Sequence, residues 1–301
     1  MIEYAVYLGA VFLATLFPLR PLYWIARRLA DVHHFFDRRG RAAVRENLKI
    51  MCPGLEGKAL DRAVKDTYYH FSLYLAEFFR MSKIDRKYID DHVKLEGIKN
   101  IEAGLQKGKG VVVVSAHYSN WELGLAYLAI CGYPAYGIIA PHKNKRVNEL
   151  FVKPRREAGV GLVFTTNAIE EGHEVLRENG ILCMLGDRVT TKGGVPVSYF
   201  GHTAIFPKGA AKFALRAQAP LVPGSIIRHA GNRFTLSFDE PIATEGMPDT
   251  DESVRLLMNR YIERLEEYVR RDPVQYGVFY RIWKDADSSV RNLQDQDSVQ
   301  A

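Results

Sequence analysis

The residues best suited to chemistry follow a run of four valines, Val111–Val114, which passes into His117-Tyr-Ser-Asn-Trp-Glu122. The valine run predicts a buried strand, and the polar residues after it predict a turn into a helix. Ligands of α/β proteins bind at the carboxyl ends of strands. We therefore expect His117 at such an end. Glu122 should lie in the first turns of the helix, where its carboxylate could bond to one imidazole nitrogen.

A histidine held in one tautomer by a carboxylate can remove a proton from a hydroxyl, because the unperturbed pKa of imidazole is about 6.5. If that hydroxyl attacks an acyl carbonyl, the result is acyl transfer, and the developing oxyanion needs hydrogen-bond donors. Asn120 and nearby backbone amides are candidate donors, with helix capping as the alternative role of Asn120. The spacing of His117 and Glu122 alone also suits a solvated pair.

Polar residues follow two further apolar runs. Asp187 and Arg188 come after Ile181–Leu185 and are candidate substrate-binding residues. Arg188 could bind a substrate phosphate, with a structural Asp187–Arg188 ion pair as the alternative. Lys143 and Asn144 could form a rim for an anionic headgroup, or they could belong to an ordinary solvated turn.

Several segments resemble, in the same order, the motifs of the bacterial lipid A late acyltransferases. The central one is the His-x4-Glu motif, in the form His-x-x-Asn-Trp-Glu at His117–Glu122. The other segments are Arg41–Pro53, Pro141–Asn144, Gly180–Asp187, Gly194–Gly201, Gly209–Arg216, Ala219–Pro223 and Gln275–Lys284. The chain thus resembles the lauroyl- and myristoyltransferases of the lysophospholipid acyltransferase superfamily.

This resemblance implies an α/β fold like that of the glycerolipid acyltransferases, with a mixed sheet flanked by helices. It implies that His117 is the general base and that Glu122 orients it. A fatty acyl chain would pass from an acyl-carrier-protein thioester to a hydroxyl of a lipid A precursor, in lipopolysaccharide biosynthesis. The implied partners are acyl carrier protein, an anionic glycolipid and the membrane, and no cofactor, metal or covalent acyl-enzyme is implied.

The sequence departs from the family pattern at Ala140, Arg188, Val278 and Tyr280, where Arg, Gln, Trp and His are usual. None of these positions is His117 or Glu122, but the residues there could border the acceptor site. A lysophospholipid acyltransferase using acyl-CoA is therefore an alternative, as are relatives that acylate mannosylated inositol lipids, polyene lipids or amino-acid lipids.

Two N-terminal segments are expected to associate with a membrane. Ile2–Phe17 is apolar except for Glu3 and Thr15. As a helix it would be about 24 Å long, against the roughly 30 Å of a hydrocarbon core, so it could span a thinned bilayer, insert partly or be a buried core helix. Leu22–Phe36 mixes aromatic and aliphatic residues with arginines, as interfacial helices do.

The expected organisation is a membrane anchor with an interfacial helix at 1–40, an acyltransferase domain at 41–290 and a polar tail at 291–301. Seven arginines lie between Arg20 and Arg45. By the positive-inside bias they place the protein on the cytoplasmic side of the inner membrane.

Within the domain, short apolar runs alternate with helical stretches, which predicts an α/β sheet covered by helices. The predicted strands are Val111–Val114, Tyr136–Ile139, Leu162–Phe164, Ile181–Leu185, Leu221–Ile227 and Phe234–Phe238. Helices are predicted over 41–50, 58–81 and 253–271.

The net charge of +6 and the pI of about 9.1 favour an anionic partner. Nucleic acid is disfavoured, because the arginines cluster beside the apolar segment and no recognition motif is present. Cys52, Cys131 and Cys183 are too widely spaced to indicate a disulfide framework or a zinc site. The non-enzymatic alternative is a peripheral protein whose basic N-terminal region docks on acidic lipid.

Overall fold

The computed structural model describes residues 2–188 and 194–283, so the predicted tail at 291–301 lies outside the described residues. The helices are α1 (Ile2–Leu16), α2 (Leu19–Phe36), α3 (Arg38–Met51), α4 (Gly57–Phe78), α5 (Arg86–His92), α6 (Ile98–Leu105), α7 (Trp121–Ile130), α8 (Lys145–Glu157), α9 (Ala168–Arg177), α10 (Gly209–Ala217) and α11 (Asp251–Arg271). The strands are β1 (Val93–Glu96), β2 (Val111–Ser115), β3 (Ala135–Ile139), β4 (Gly161–Phe164), β5 (Ile181–Leu185), β6 (Gly194–Tyr199), β7 (His202–Pro207), β8 (Leu221–His229) and β9 (Arg233–Phe238).

The main sheet is mixed and has seven strands in the order β1-β9-β8-β2-β5-β3-β4. Strands β8, β2, β5, β3 and β4 are parallel to one another, whereas β9 is antiparallel to β8 and parallel to β1. A separate antiparallel hairpin is formed by β6 and β7. The prediction of a mixed α/β sheet flanked by helices is confirmed.

All six predicted strands occur, and β1 and the β6–β7 hairpin were missed. β1 is four residues long and two of its residues, Lys94 and Glu96, are charged, so it carries little apolar signal. β6 contains Pro196, a residue that normally argues against a strand because it lacks the N–H that a ladder needs. A two-stranded hairpin has open edges and tolerates it.

The centre of the sheet is covered on both faces, which explains why β2 and β5 read as continuous apolar runs. Val112 and Val114 pack into a core with α9, α10 and α11. Val111 and Val113 point the other way, into a core that includes Leu123 of α7. The valines of β2 therefore hold the turn after the strand between two packed layers.

The N-terminal helices pack on the rest of the chain through a third core. Leu22 and Ala26 of α2 are buried in it, together with Phe78 of α4. Among residues 2–188 and 194–283, no helix combines the length and hydrophobicity needed to cross a bilayer.

Candidate active site

Three neighbouring strands bring the predicted site residues to one edge of the sheet. β5 lies between β2 and β3, and all three are parallel, so their carboxyl ends coincide. His117 follows the end of β2, Asp187 follows the end of β5, and Lys143 lies in the loop after β3. The prediction that His117 lies at the carboxyl end of a strand is confirmed.

His117 is bonded to Asp187. The imidazole Nδ1 lies 2.8 Å from Oδ1 of Asp187, and the backbone N–H of His117 donates to Oδ2 at 2.8 Å. The Asp187 side chain is fully buried, whereas 21% of the His117 side chain is exposed. The carboxylate is thus hydrogen-bonded to both the ring and the main chain of the histidine.

Asp187 is held in its ionised form. Burial alone would raise its pKa, but the charge of His117 and the hydrogen bonds from its ring and backbone outweigh burial, and the pKa lies below the usual value. An ionised carboxylate accepts hydrogen bonds only, so Nδ1 must carry the proton. In the neutral imidazole the lone pair is then on Nε2, which makes no hydrogen bond to any described residue. This is the state that a general base needs.

The prediction that Glu122 orients His117 is wrong in its geometry. Oε2 of Glu122 accepts a hydrogen bond of 2.8 Å from Nε of Arg155, and Oε1 accepts a second bond from the same guanidinium. Both side chains are almost completely buried. Glu122 lies in the first turn of α7 and faces α8, which carries Arg155, whereas the carboxylate that reaches His117 comes from the neighbouring strand.

Glu122 reaches the histidine only through Trp121. The indole Nε1 donates to Oε1 of Glu122 at 3.2 Å, and the indole ring packs edge-on against the imidazole with a centroid separation of 5.1 Å. Tyr74 stacks on the indole at 4.1 Å. Glu122 and Arg155 therefore hold Trp121 in place beside His117. Arg155 was missed by the sequence analysis, because nothing in its local sequence marks it as a partner of Glu122.

We expect Glu122→Gln to destabilise the protein by about 3–5 kcal/mol, because it leaves the Arg155 guanidinium buried without a countercharge. Turnover should fall less than in a variant that removes the Asp187 carboxylate. Denaturant unfolding measures the first effect. Glu157→Gln is the matched control, since it breaks an exposed ion pair with Lys153 on the same helix and should cost less than about 1 kcal/mol. Unchanged stability with strongly reduced turnover would contradict this structural role.

Asn120 has the capping role that the sequence left open. Its Oδ1 accepts the backbone N–H of Leu123 at 3.0 Å, and its Nδ2 donates to Oε2 of Glu77 at 2.7 Å. Glu77 is in turn paired with Arg228 in the interior. The preceding Ser119 adopts a left-handed backbone with φ of 55° to close the turn. Because Asn120 is only 1% exposed, these contacts correct the prediction that it binds substrate.

The other predicted substrate residues follow the carboxyl ends of β5 and β3. Asp187 contacts His117 rather than Arg188, so it orients the histidine instead of binding substrate. Arg188 is exposed and lies over the ring of Tyr280, 5.7 Å from its centroid. Asn144 caps α8 by accepting the backbone N–H of Arg146 at 3.0 Å, and Lys143 beside it is exposed. Substrate contacts of Lys143, Asn144 and Arg188 stay predictions.

An apolar cavity of about 320 Å³ lies between α1, α2 and α4. Phe71 lines this cavity, and its ring packs 4.9 Å from that of Phe279. Phe279 belongs to the segment whose Gly277 donates its N–H to the carbonyl of His117 at 2.9 Å. The cavity thus approaches the turn that carries His117 from the side of the N-terminal helices. Among the described residues, no group of three or more His, Cys, Asp or Glu side chains could hold a metal ion.

Comparison with known proteins identifies the class. Residues 1–285 match the family described as bacterial lipid A biosynthesis acyltransferase. The chain belongs to this family.

The individual relatives fall into two groups. The lipid A biosynthesis palmitoleoyltransferase of Escherichia coli is 21% identical over 283 residues, which cover 92% of this chain and 89% of that protein. The phosphatidylinositol mannoside acyltransferase of Mycolicibacterium smegmatis is 25% identical over 189 residues, covering 61% of this chain and 62% of the relative. Its counterpart in Mycobacterium tuberculosis is 26% identical over 181 residues, covering 58% of this chain and 53% of the relative. The match to the mannoside enzymes therefore spans less than two thirds of their length.

Proposed function

We propose that the protein is an O-acyltransferase that moves a fatty acyl chain from an acyl-carrier-protein thioester to a hydroxyl of a lipid A precursor. The observation that carries the proposal is the bond between His117 and Asp187, which leaves Nε2 of the imidazole without a partner among the described residues at the edge of the sheet. Membership of the family supports the reaction class.

In the proposed reaction, Nε2 of His117 takes the proton of the acceptor hydroxyl while its oxygen attacks the thioester carbonyl. Asp187 stabilises the imidazolium that forms, because its carboxylate is buried, ionised and 2.8 Å from Nδ1. The tetrahedral intermediate collapses by breaking the carbon–sulfur bond. The thiolate leaves with the proton returned by His117, so the products are an ester and a free thiol. The histidine ends in its starting state.

The apolar cavity between α1, α2 and α4 supports a lipid substrate. Its walls are leucine, alanine and aromatic side chains such as Leu75 and Phe79. Transfer of a hydrocarbon chain from water to such a surface is favourable by about 0.8 kcal/mol per buried CH₂. A substrate chain in this cavity would approach the turn that carries His117.

The acceptor is proposed as a lipid A precursor because the Escherichia coli relative matches along almost the whole chain. A phosphatidylinositol mannoside is the second candidate, since the mycobacterial relatives are more nearly identical over a shorter stretch. Both acceptors offer sugar hydroxyls beside acyl chains and a phosphate.

Mass spectrometry of lipid products distinguishes the two acceptors. Membranes containing the protein would be incubated with an acyl-carrier-protein thioester and either a Kdo-bearing tetraacylated lipid A precursor or a phosphatidylinositol mannoside. We expect the lipid A precursor to gain one acyl mass, with no gain in membranes that lack the protein. A gain of acyl mass only on the phosphatidylinositol mannoside would make that lipid the acceptor instead. A gain on neither lipid would refute the proposal.

We further propose that α1 and α2 dock the protein on the cytoplasmic face of the inner membrane. Large apolar side chains are exposed along both helices, and α2 also carries exposed arginines. The exposed apolar residues are Val6, Leu8, Phe12, Leu16, Trp24, Leu29, Val32, Phe35 and Phe36. Apolar contacts flanked by arginines suit insertion at the level of anionic headgroups.

The double substitution Phe35→Ser with Phe36→Ser should move most of the protein from the membrane fraction to the soluble fraction. Each ring is at least 70% exposed, and burying such a ring in lipid is worth about 1.5–3 kcal/mol. Flotation with vesicles measures the partition. The matched control is Ile169→Ser with Leu256→Ser, which removes exposed apolar side chains from other helices and should leave partition unchanged. Equal effects of both pairs would argue against a membrane face on α2.

A further inference from the structure

A second cavity, of about 870 Å³, lies between α2, α4 and the turn that joins β8 to β9. Unlike the cavity between α1, α2 and α4, it is lined largely by polar side chains. They include Arg20, Arg27, Asp66, His70 and Asp272. Arg228 and His229, at the carboxyl end of β8, also border it. Because β8 is parallel to β2 and adjacent to it, the cavity is at the same edge of the sheet as His117.

The cavity shares a wall with the catalytic turn. The carbonyl of Gln275, a lining residue, accepts the backbone N–H of Ser119 at 2.9 Å. The side chain of Gln275 bonds to both the N–H and the carbonyl of Arg228, each at 2.9 Å. β8 and β5 flank β2 on opposite sides. The cavity therefore approaches His117 from the side opposite Asp187.

Two arginines of the cavity are available for an anionic ligand. Arg20 and Arg27 are seven residues apart on α2 and therefore share one face of the helix. Both are exposed, and neither forms an ion pair with a described carboxylate. By contrast, Arg28 on the next face is paired with Asp31 at 3.1 Å.

The opposite wall can bond to hydroxyl groups. His70 lines the cavity. Its Nδ1 is buried and has no hydrogen-bond partner among the described residues. Burial lowers the pKa of His70 to about 4, so the imidazole is neutral and can exchange hydrogen bonds with a hydroxyl. Asp66 and Asp272 add carboxylate acceptors. This set suits a ligand with several hydroxyls and one anionic group.

We propose that this cavity binds the polar headgroup of the acceptor lipid, a phosphorylated sugar or inositol. The assignment rests on the proposed acyl transfer. Arg20 and Arg27 contact the phosphate, and His70, Asp66 and Asp272 contact ring hydroxyls. The exposed Trp24 and Phe35 on the same helix hold the cavity at the depth of lipid headgroups. A target hydroxyl then meets His117 across the turn.

Steady-state kinetics with purified full-length protein tests the two arginines. Arg20→Ala and Arg27→Ala should each raise KM for the acceptor about tenfold, the loss expected for one charge-assisted hydrogen bond. KM for the acyl-carrier-protein thioester and kcat should change less than twofold, since neither arginine contacts reacting atoms. Arg28→Ala is the control and should leave all three constants unchanged. An equal rise in KM for all three variants, or a rise for the donor instead, would overturn the assignment.

Binding measured without turnover separates this assignment from the proposed reaction. Histidine-labelled protein in detergent micelles would be titrated with the lipid A precursor or with a phosphatidylinositol mannoside while imidazole NMR signals are recorded. His70→Gln identifies the His70 signal. A saturable shift of that signal supports the cavity, and the lipid that causes it identifies the headgroup. A shift without any acyl transfer would keep the cavity and refute the reaction. Transfer with an unmoved His70 signal would refute the cavity and keep the reaction.

Discussion

His117→Ala is expected to lower kcat by about 1,000-fold, within the range that a positioned general base contributes. The loss follows because no other described side chain takes the place of Nε2, and the acceptor hydroxyl keeps its proton at neutral pH. Single-turnover formation of the ester, followed by mass spectrometry, measures the effect. KM for either substrate should change little, since the imidazole acts on the transition state.

Folding of the variant must be checked separately, because His117→Ala removes a partner from the buried carboxylate of Asp187. The backbone N–H of residue 117 remains as a donor to Oδ2, and protonation of the aspartate can relieve its remaining charge. His117→Gln is the second variant, since its carboxamide can still donate to Asp187 but cannot act as a base at neutral pH. A folded His117→Gln protein with near-normal kcat would exclude the mechanism.

Asp187→Asn should lower kcat by about 100-fold to 10,000-fold with little change in overall structure. The carboxamide of asparagine can donate a hydrogen bond to Nδ1, which places the imidazole proton on Nε2 and makes that nitrogen useless as a base. The substitution also removes the charge that stabilises the imidazolium. The ring signals of His117 in NMR report the tautomer directly, and a kinetic assay reports the rate.

Two comparisons make the Asp187→Asn result specific. Glu122→Gln, which also removes one buried carboxylate, should chiefly reduce stability because its partner is Arg155 and not the imidazole. If Glu122→Gln lost more turnover than Asp187→Asn at equal folded fraction, the assignment of the orienting carboxylate would be reversed. An Asp187→Asn protein with normal turnover and an unchanged His117 tautomer would remove Asp187 from the mechanism.

The lowered pKa of Asp187 also gives the sign of a pH effect on stability. Because the folded pKa lies below the unfolded value of about 3.9, the carboxylate stabilises the fold fully at pH values above that value. The contribution is lost as pH falls through the folded pKa. The stability that the ionised Asp187 supplies is therefore present at neutral pH and is lost in acid.

The sequence by itself determined most of the architecture. Alternating short apolar runs located six of the seven strands of the main sheet, since strands buried on both faces must be continuously apolar. It also located His117, because the change from valines to this residue marks the carboxyl end of a strand, where α/β proteins place ligands. The order of motifs along the chain indicated the family.

Tertiary structure alone decided which groups contact one another. Spacing along the chain favoured Glu122 as the partner of His117, because the two residues are close in sequence. Strand order placed Asp187, which is 70 residues away, beside the imidazole. Helix α7 turned Glu122 toward Arg155 of α8 instead. Hydrophobic periodicity reports which residues are buried, but the direction of a side chain at the edge of a sheet depends on which strands are neighbours and how each helix packs. That information is not local to any segment.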